Sequence, residues 1–216
     1  MIDQKAIDFF TTEVILAKVN AEVDSLLAQE FHISGYPTSV LVGEDGEEID
    51  RIVGYLEVDD FLKTIVDYQN GIGTLDDLLA RAELEPDREL YLEIAEKYKY
   101  RGGSDEARNW YQKVIDAGEP TDSLSGEGRM SLADMLRRAK EYEQALEAYG
   151  SIMKDFSGEM IAQDAEIWRA IAYRQMGDTT QAINAFQEYI EHYPESEDVE
   201  YATKQIDKLK GVEPGT

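Results

Sequence analysis

The chain contains no cysteine, and that absence removes three kinds of chemistry at once. It can close no disulfide, hold no metal through thiolate and attack no substrate with sulfur. Histidine is almost as scarce: His32 and His192 are the only two, too few and too far apart in sequence to suggest a metal site. Base is short as well, with 21 Lys and Arg against 46 Asp and Glu, a net charge of −25. A chain this acidic offers no cationic surface to release counterions from nucleic-acid phosphate, and it is repelled by anionic lipid. The plain consequence of such a charge is solubility. No apolar run approaches the ~20 residues a membrane helix needs. No leader pattern opens the chain, which points to a cytoplasmic protein. There is no phosphate loop, GxSxG or HExxH. The acidic run GEDGEEID, Gly43–Asp50, lacks the alternating carboxylates and distal Glu of a calcium loop, so it reads as a solvated hairpin turn. No catalytic residue, metal ligand or cofactor is implied.

What is present is enough to fold. With 216 residues and 43% apolar content the chain can build one or two cores. Ile2, Ala6, Ile7, Phe9 and Phe10 pattern Met1–Thr12 as a helix. Val14–Val19 is apolar on both faces, as a buried strand should be. Asp24 or Ser25 can cap a short helix, Leu26–Phe31, with Leu26, Leu27 and Phe31 turned inward. Ser39–Val42 reads as a second buried strand, Asp45-Gly46 as a tight turn and Glu48–Gly54 as the returning strand. Asp59 can cap a helix whose Phe61, Leu62, Ile65, Val66 and Tyr68 follow a 3.6-residue period. Asn70-Gly71 and Gly73 end it, Thr74 can cap a short helix through Ala82, and Pro86 closes the segment.

Those elements, with the stretch FHISGYPTSVLV at Phe31–Val42, Asp45-Gly46 and Val53-Gly54, resemble the second half of a thioredoxin domain. The resemblance implies a cis bond before Pro37 and a partner-facing loop made of Tyr36, Pro37 and Thr38. It also places the strand and CxxC pair of an active domain upstream of Met1. Thiol–disulfide exchange needs an attacking thiolate, and this chain has none. Without the intervening strand, Val14–Val19 and Ser39–Val42 are expected either to pair with each other or to be completed by a second copy, a homo-oligomer formed through an open sheet edge.

From Asp87 onward the chain repeats. Ala107, Ala145 and Ala182 stand 38 and 37 residues apart, each preceded by a small residue, Ala95, Ala133 or Ala170, and followed by an aromatic, Tyr111, Tyr149 or Phe186. This resembles the tetratricopeptide repeat over Asp87–Pro194, with each unit a pair of antiparallel helices meeting at small residues. The surplus over the usual ~34 residues is expected in loops at Gly118–Gly128 and Phe156–Ala162. Lys140 stands where a glycine is usual, and Arg169 where leucine is usual. Trp110, Tyr111, Tyr149, Trp168, Tyr173 and Phe186 read as core. The charged helix Glu197–Lys210 reads as a solvating cap on the array.

The expected fold is therefore a truncated thioredoxin-like α/β segment, residues 1–73, a linker with a short helix, 74–86, and an all-α tetratricopeptide solenoid with its capping helix, 87–210. The resemblance implies a groove lined by the first helix of each unit, where the late positions hold Lys99, Tyr100, Arg137, Arg138, Arg174 and Gln175. Guanidinium forks suit carboxylates, so the expected ligand is a protein or peptide, either acidic or ending in a free carboxylate. The competing expectation is that these bases pair with neighbouring acids such as Glu96 and Asp134. The function so implied is a non-catalytic interaction module. Its alternatives are the C-terminal part of a thiol–disulfide oxidoreductase or folding factor, and an assembly adaptor whose sheet edge a second chain completes.

Overall fold

The structure is a computed structural model and describes residues 4–211. The described residues are mostly helical, with a single two-stranded sheet among them. The chain divides into two compact units between Ala107 and Arg108.

The first unit opens with α1 (Gln4–Thr12); Met1 and Ile2 of the expected helix lie outside the described residues. It continues with α2 (Ser25–Glu30), β1 (Thr38–Val42), β2 (Glu48–Val53), α3 (Val58–Gln69), α4 (Leu75–Leu84), α5 (Arg88–Tyr100) and the start of α6 (Ser104–Asp116). The Tyr36–Pro37 peptide is cis. β1 and β2 form an antiparallel hairpin in which Thr38 faces Val53 and Leu41 faces Asp50. Gly46, at φ +87, makes the turn that an L-residue with a Cβ would resist. The Gly43 N–H donates to the Glu47 carbonyl at 2.9 Å to close it.

Three expectations fail in this unit. Residues 14–20 form neither strand nor helix, and Ile15 is fully exposed, so Val14–Val19 pairs neither with β1 nor with anything else described. β1 is only half-buried, and Leu26 and Leu27 of α2 face outward. The acidic run does not end in solvent: Asp50 is completely buried. Apolar composition predicted burial in the first two cases, but burial needs a second layer, and the described fold supplies none there.

Asp50 is the centre of a buried ionic network. Its carboxylate accepts from the Leu75 N–H at the start of α4 (2.8 Å), from the Arg51 N–H (2.7 Å) and from Lys97 Nζ on α5 (3.0 Å). Arg101 Nη2 lies 3.1 Å away and also donates to the Ile49 carbonyl. Arg51 is held by Glu48 and donates to the Tyr100 carbonyl. The hairpin is thus tied to α4 and α5 by charge more than by apolar contact. Thr74 caps α4 by accepting from the Asp77 N–H, and Asp87 caps α5 by accepting from the Glu89 and Leu90 N–H groups.

The second unit contains the rest of α6, then α7 (Ser123–Arg138), α8 (Tyr142–Asp155), α9 (Met160–Met176), α10 (Thr179–His192) and α11 (Val199–Lys210). Two apolar clusters share α9. Ala133, Ala145, Tyr149, Ile152 and Phe156 pack with Ala162 and Ala165, while Ala170, Ala185, Phe186 and Tyr189 pack with Ala202 and Ile206 of α11. Each helix pair thus buries its core against its neighbour, the nearest-neighbour packing of a solenoid. Ala133, Ala145, Ala170 and Ala182 have no exposed surface, so helices meet closely at each.

The loop expected at Gly118–Gly128 is shorter than that. α7 begins at Ser123, capped by Asp122, whose carboxylate accepts from the Ser125 N–H at 2.8 Å. Gly126 and Gly128, which lower helix propensity by ~1 kcal/mol each, are inside the helix because neighbours approach them. A Cβ on Gly126 would stand 2.9 Å from Ile161 Cδ1, and one on Gly128 3.1 Å from Ile115 Cγ1.

Candidate functional site

The six candidate groove residues sit near the C-terminal ends of their helices, or just beyond the start of such an end, but their environments differ. In the first unit, Lys99 is ion-paired with Glu96, and its ammonium lies 4.7 Å from the Tyr100 ring centroid. The Tyr100 carbonyl is occupied by Arg51.

In the second unit, α7 and α9 bring Arg137, Arg138 and Gln175 together. Arg137 is almost wholly buried. It donates to Gln175 Oε1 at 2.8 Å and to Asp134, and its guanidinium lies 4.6 Å from the Trp168 ring centroid. Arg138 reaches the other Asp134 oxygen through Nε at 2.6 Å but keeps 62% of its side chain exposed. Arg174 turns to α11, donating to the Tyr201 hydroxyl at 3.1 Å and to Gln205. The pairing with neighbouring acids therefore exists at both Glu96 and Asp134. Arg138 is the base that retains a solvent-facing fork, Arg137 acts as a strut between two A-type helices, and Arg174 joins the array to its last helix.

Beneath Arg137, Tyr149 is fully buried, and its hydroxyl has no hydrogen-bond partner among the described residues. Burial, with the nearby Asp134 charge, pushes the hydroxyl up to about 12. At the opposite end of α9, Glu166 is buried and bonded to His192 Nδ1 at 2.8 Å. Asp164 is raised by burial and by the charge of Asp198. Among the described residues no group of three acidic or histidine side chains is placed to hold a metal ion. Among the described residues no helix is long and apolar enough to cross a membrane.

The Tyr36–Pro37–Thr38 loop lies in the first unit. Thr38 Oγ1 donates to the Gly35 carbonyl at 2.8 Å, and the Pro37 carbonyl accepts from the Gly54 N–H at 2.8 Å. Tyr36 projects outward and borders a concavity of about 620 Å³. Lys99 and His32 border the same concavity, so two candidates that the sequence kept 63 positions apart share one depression. His32 adopts φ +50 and its ring lies against Gly102, where a Cβ would stand 2.7 Å from His32 Cγ. Sequence reasoning gave His32 no such neighbour, because nothing local signals a contact across 70 residues. Asp50, Lys97 and Arg101 were missed for the same reason.

The repeat geometry has a counterpart among known families. Residues 92–155 and residues 164–196 each match a tetratricopeptide repeat. The first stretch runs from within α5 to the end of α8, and the second covers most of α9 and all of α10. No curated protein matches the chain. In the tetratricopeptide register, Gly102, Lys140 and Gly177 occupy one position, five residues before Ala107, Ala145 and Ala182. All three have positive φ, +80, +65 and +88. The backbone demands the left-handed turn whether or not glycine supplies it.

Proposed function

We propose that this protein is a non-catalytic interaction module whose tetratricopeptide repeats hold a segment of a protein partner. Repeats of this family generally bind proteins. The observation that carries the reading is the surface at the ends of α7 and α9, where Arg137, Arg138 and Gln175 meet and the Arg138 guanidinium stays largely in solvent. Lys99 and Tyr100 hold the equivalent late positions of α5, and Arg174 that of α9. The ligand chemistry is a carboxylate, from an acidic side chain or a chain terminus, which would compete with Asp134 for the Arg138 fork. Because most of the chain repels such a ligand, binding is local and weakened by salt. The order of β1, β2 and α3 after the Tyr36–Pro37 loop supports a thioredoxin-like, non-catalytic N-terminal segment that contributes Tyr36, Pro37 and Thr38 as further contact surface.

The test is titration of a glutamate-rich peptide with a free carboxylate end into wild type, Arg138→Glu, and Arg138→Glu with Arg174→Glu. Arg138 is largely exposed and its ion pair among the described residues is with Asp134, so its replacement is expected to spare the fold, whereas Arg174 also braces α11. Affinity is expected to fall by at least about tenfold in the single variant, the value of one charge-assisted hydrogen bond. Unchanged affinity at unchanged helicity removes the carboxylate reading.

A further inference from the structure

Residues 15–27 expose six large apolar side chains within thirteen positions: Ile15, Leu16, Val19, Val23, Leu26 and Leu27. Ile15 is 100% exposed, Leu26 81% and Val23 76%. Single exposed leucines are ordinary on protein surfaces, but a dense run of them is a mark of an interaction surface. From Asn20 onward the run is held by local hydrogen bonds. The Val23 and Asp24 N–H groups donate to the Asn20 carbonyl, the Glu22 N–H donates to Asn20 Oδ1 at 3.0 Å, and α2 follows directly. The same segment borders the concavity of about 620 Å³ through Ala21, Ser25, Ala28 and Gln29, and Ile33 and Tyr36 also line it. The exposed Val23, Leu26 and Leu27 flank these lining residues in sequence, and the lining itself mixes alanine, isoleucine and tyrosine with serine, glutamine, histidine and lysine.

Charge decides what could fill it. The carboxylates of Glu13, Glu22, Asp24 and Glu30 are all exposed along this stretch, against one cation, Lys18. Lys99, the other base at the depression, is already paired with Glu96. A second copy would bring the same acidic rim and another net charge of −25 against it. An anionic bilayer is disfavoured on the same ground.

We propose that residues 15–36 form a docking surface for a segment of a partner protein that carries apolar side chains interspersed with lysine or arginine. Its apolar side chains cover Ile15, Val23 and Leu26, and its cations meet Glu22, Asp24 and Glu30. This surface shares no residue with Arg137, Arg138 and Gln175 and takes ligands of the opposite charge.

The experiment uses the full chain and three labelled twelve-residue peptides: alternating leucine and lysine, alternating serine and lysine, and alternating leucine and glutamate. Fluorescence anisotropy should show the leucine–lysine peptide binding at least about tenfold more tightly than either control, since both apolar burial and charge are required. Ile15→Ser with Leu26→Ser, two exposed positions, should weaken it by about tenfold or more without changing the circular dichroism. Glu22→Lys with Asp24→Lys should shift preference toward the leucine–glutamate peptide. Equal binding of the serine–lysine peptide, or no loss in the Ile15/Leu26 variant, overturns the proposal as non-specific charge attraction. Dimerisation in light scattering that the Ile15/Leu26 substitutions abolish overturns it in favour of a second copy. Co-sedimentation with neutral phosphatidylcholine vesicles that the same substitutions abolish overturns it in favour of a bilayer.

Discussion

Replacing Asp50 by alanine should be among the most damaging single changes in the first unit. The carboxylate is wholly buried and receives two backbone N–H groups and two cations. Without it, the Leu75 N–H at the start of α4 loses its acceptor, and Lys97 and Arg101, with side chains 11% and 20% exposed, lose their principal counter-charge. Removing one member of a buried pair costs about 3–5 kcal/mol, because the other charge is left desolvated. Lys97 retains the Tyr68 hydroxyl at 3.2 Å and that ring at 4.7 Å, and Arg101 retains Glu48 at 3.4 Å. The loss should therefore fall near the lower bound, about 3 kcal/mol, still a large share of the ~5–15 kcal/mol that stabilises a domain. The array supplies a compensating substitution. At the position two residues after the packing alanine, where the first repeat has Lys97, the second has buried Met135 and the third Ala172. Lys97→Met in the Asp50→Ala background removes the stranded cation and should recover about 1–2 kcal/mol, although Lys97→Met alone destabilises. Both tryptophans, Trp110 and Trp168, lie in the second unit, so their fluorescence does not report this change. Hydrogen exchange read by mass spectrometry in urea does, through peptides from β2, α4 and α5. If Asp50→Ala costs less than about 1 kcal/mol, or the two substitutions simply add, the network is not cooperative and the reasoning fails.

Tyr149→Phe removes a buried hydroxyl that meets no acceptor among the described residues and has only the nearby Arg137 guanidinium beside it, so at pH 7 it should change stability by less than about 1 kcal/mol. The wild-type hydroxyl, pushed up to about 12 from 10.0, keeps its proton where the unfolded chain loses it. Its contribution is therefore complete below pH 10 and lost between pH 10 and about 12, a difference of roughly 2–3 kcal/mol from the phenylalanine variant in alkaline urea titrations. Gly177 has φ +88 and open space around it, so Gly177→Ala tests the backbone alone and should cost about 1 kcal/mol in thermal unfolding. Lys140→Gly at φ +65 should not cost stability, and a loss above about 1 kcal/mol would show that the Lys140 side chain matters more than its backbone. Gly126→Ala should forfeit the ~1 kcal/mol that helix propensity promises, because the new methyl meets Ile161 and Phe156; a net gain in melting temperature would refute the close-approach argument.

The sequence by itself determined the parts of this protein whose information is local or periodic. The alanine and aromatic spacing fixed the repeats, since a helix presents every third or fourth residue to its neighbour and stacked pairs need small residues where they touch. Thr74 and the Asp45-Gly46 turn were legible because capping and tight turns depend on a few adjacent residues. The zero count of cysteine limits the chemistry whatever the fold. Only the tertiary structure decided which apolar and charged residues are inside. Val14–Val19 and Leu26 have the composition of a core but no second layer to cover them, whereas Asp50 has the composition of a turn yet is buried, because two cations and a helix N-terminus converge on it from up to 51 positions away. Likewise Gly126 and Gly128 look like loop residues and are helical, since what keeps them in the helix is the approach of Ile161 and Ile115. Burial and ion pairing are properties of surfaces brought together across the chain, and a pattern read along the chain cannot contain them.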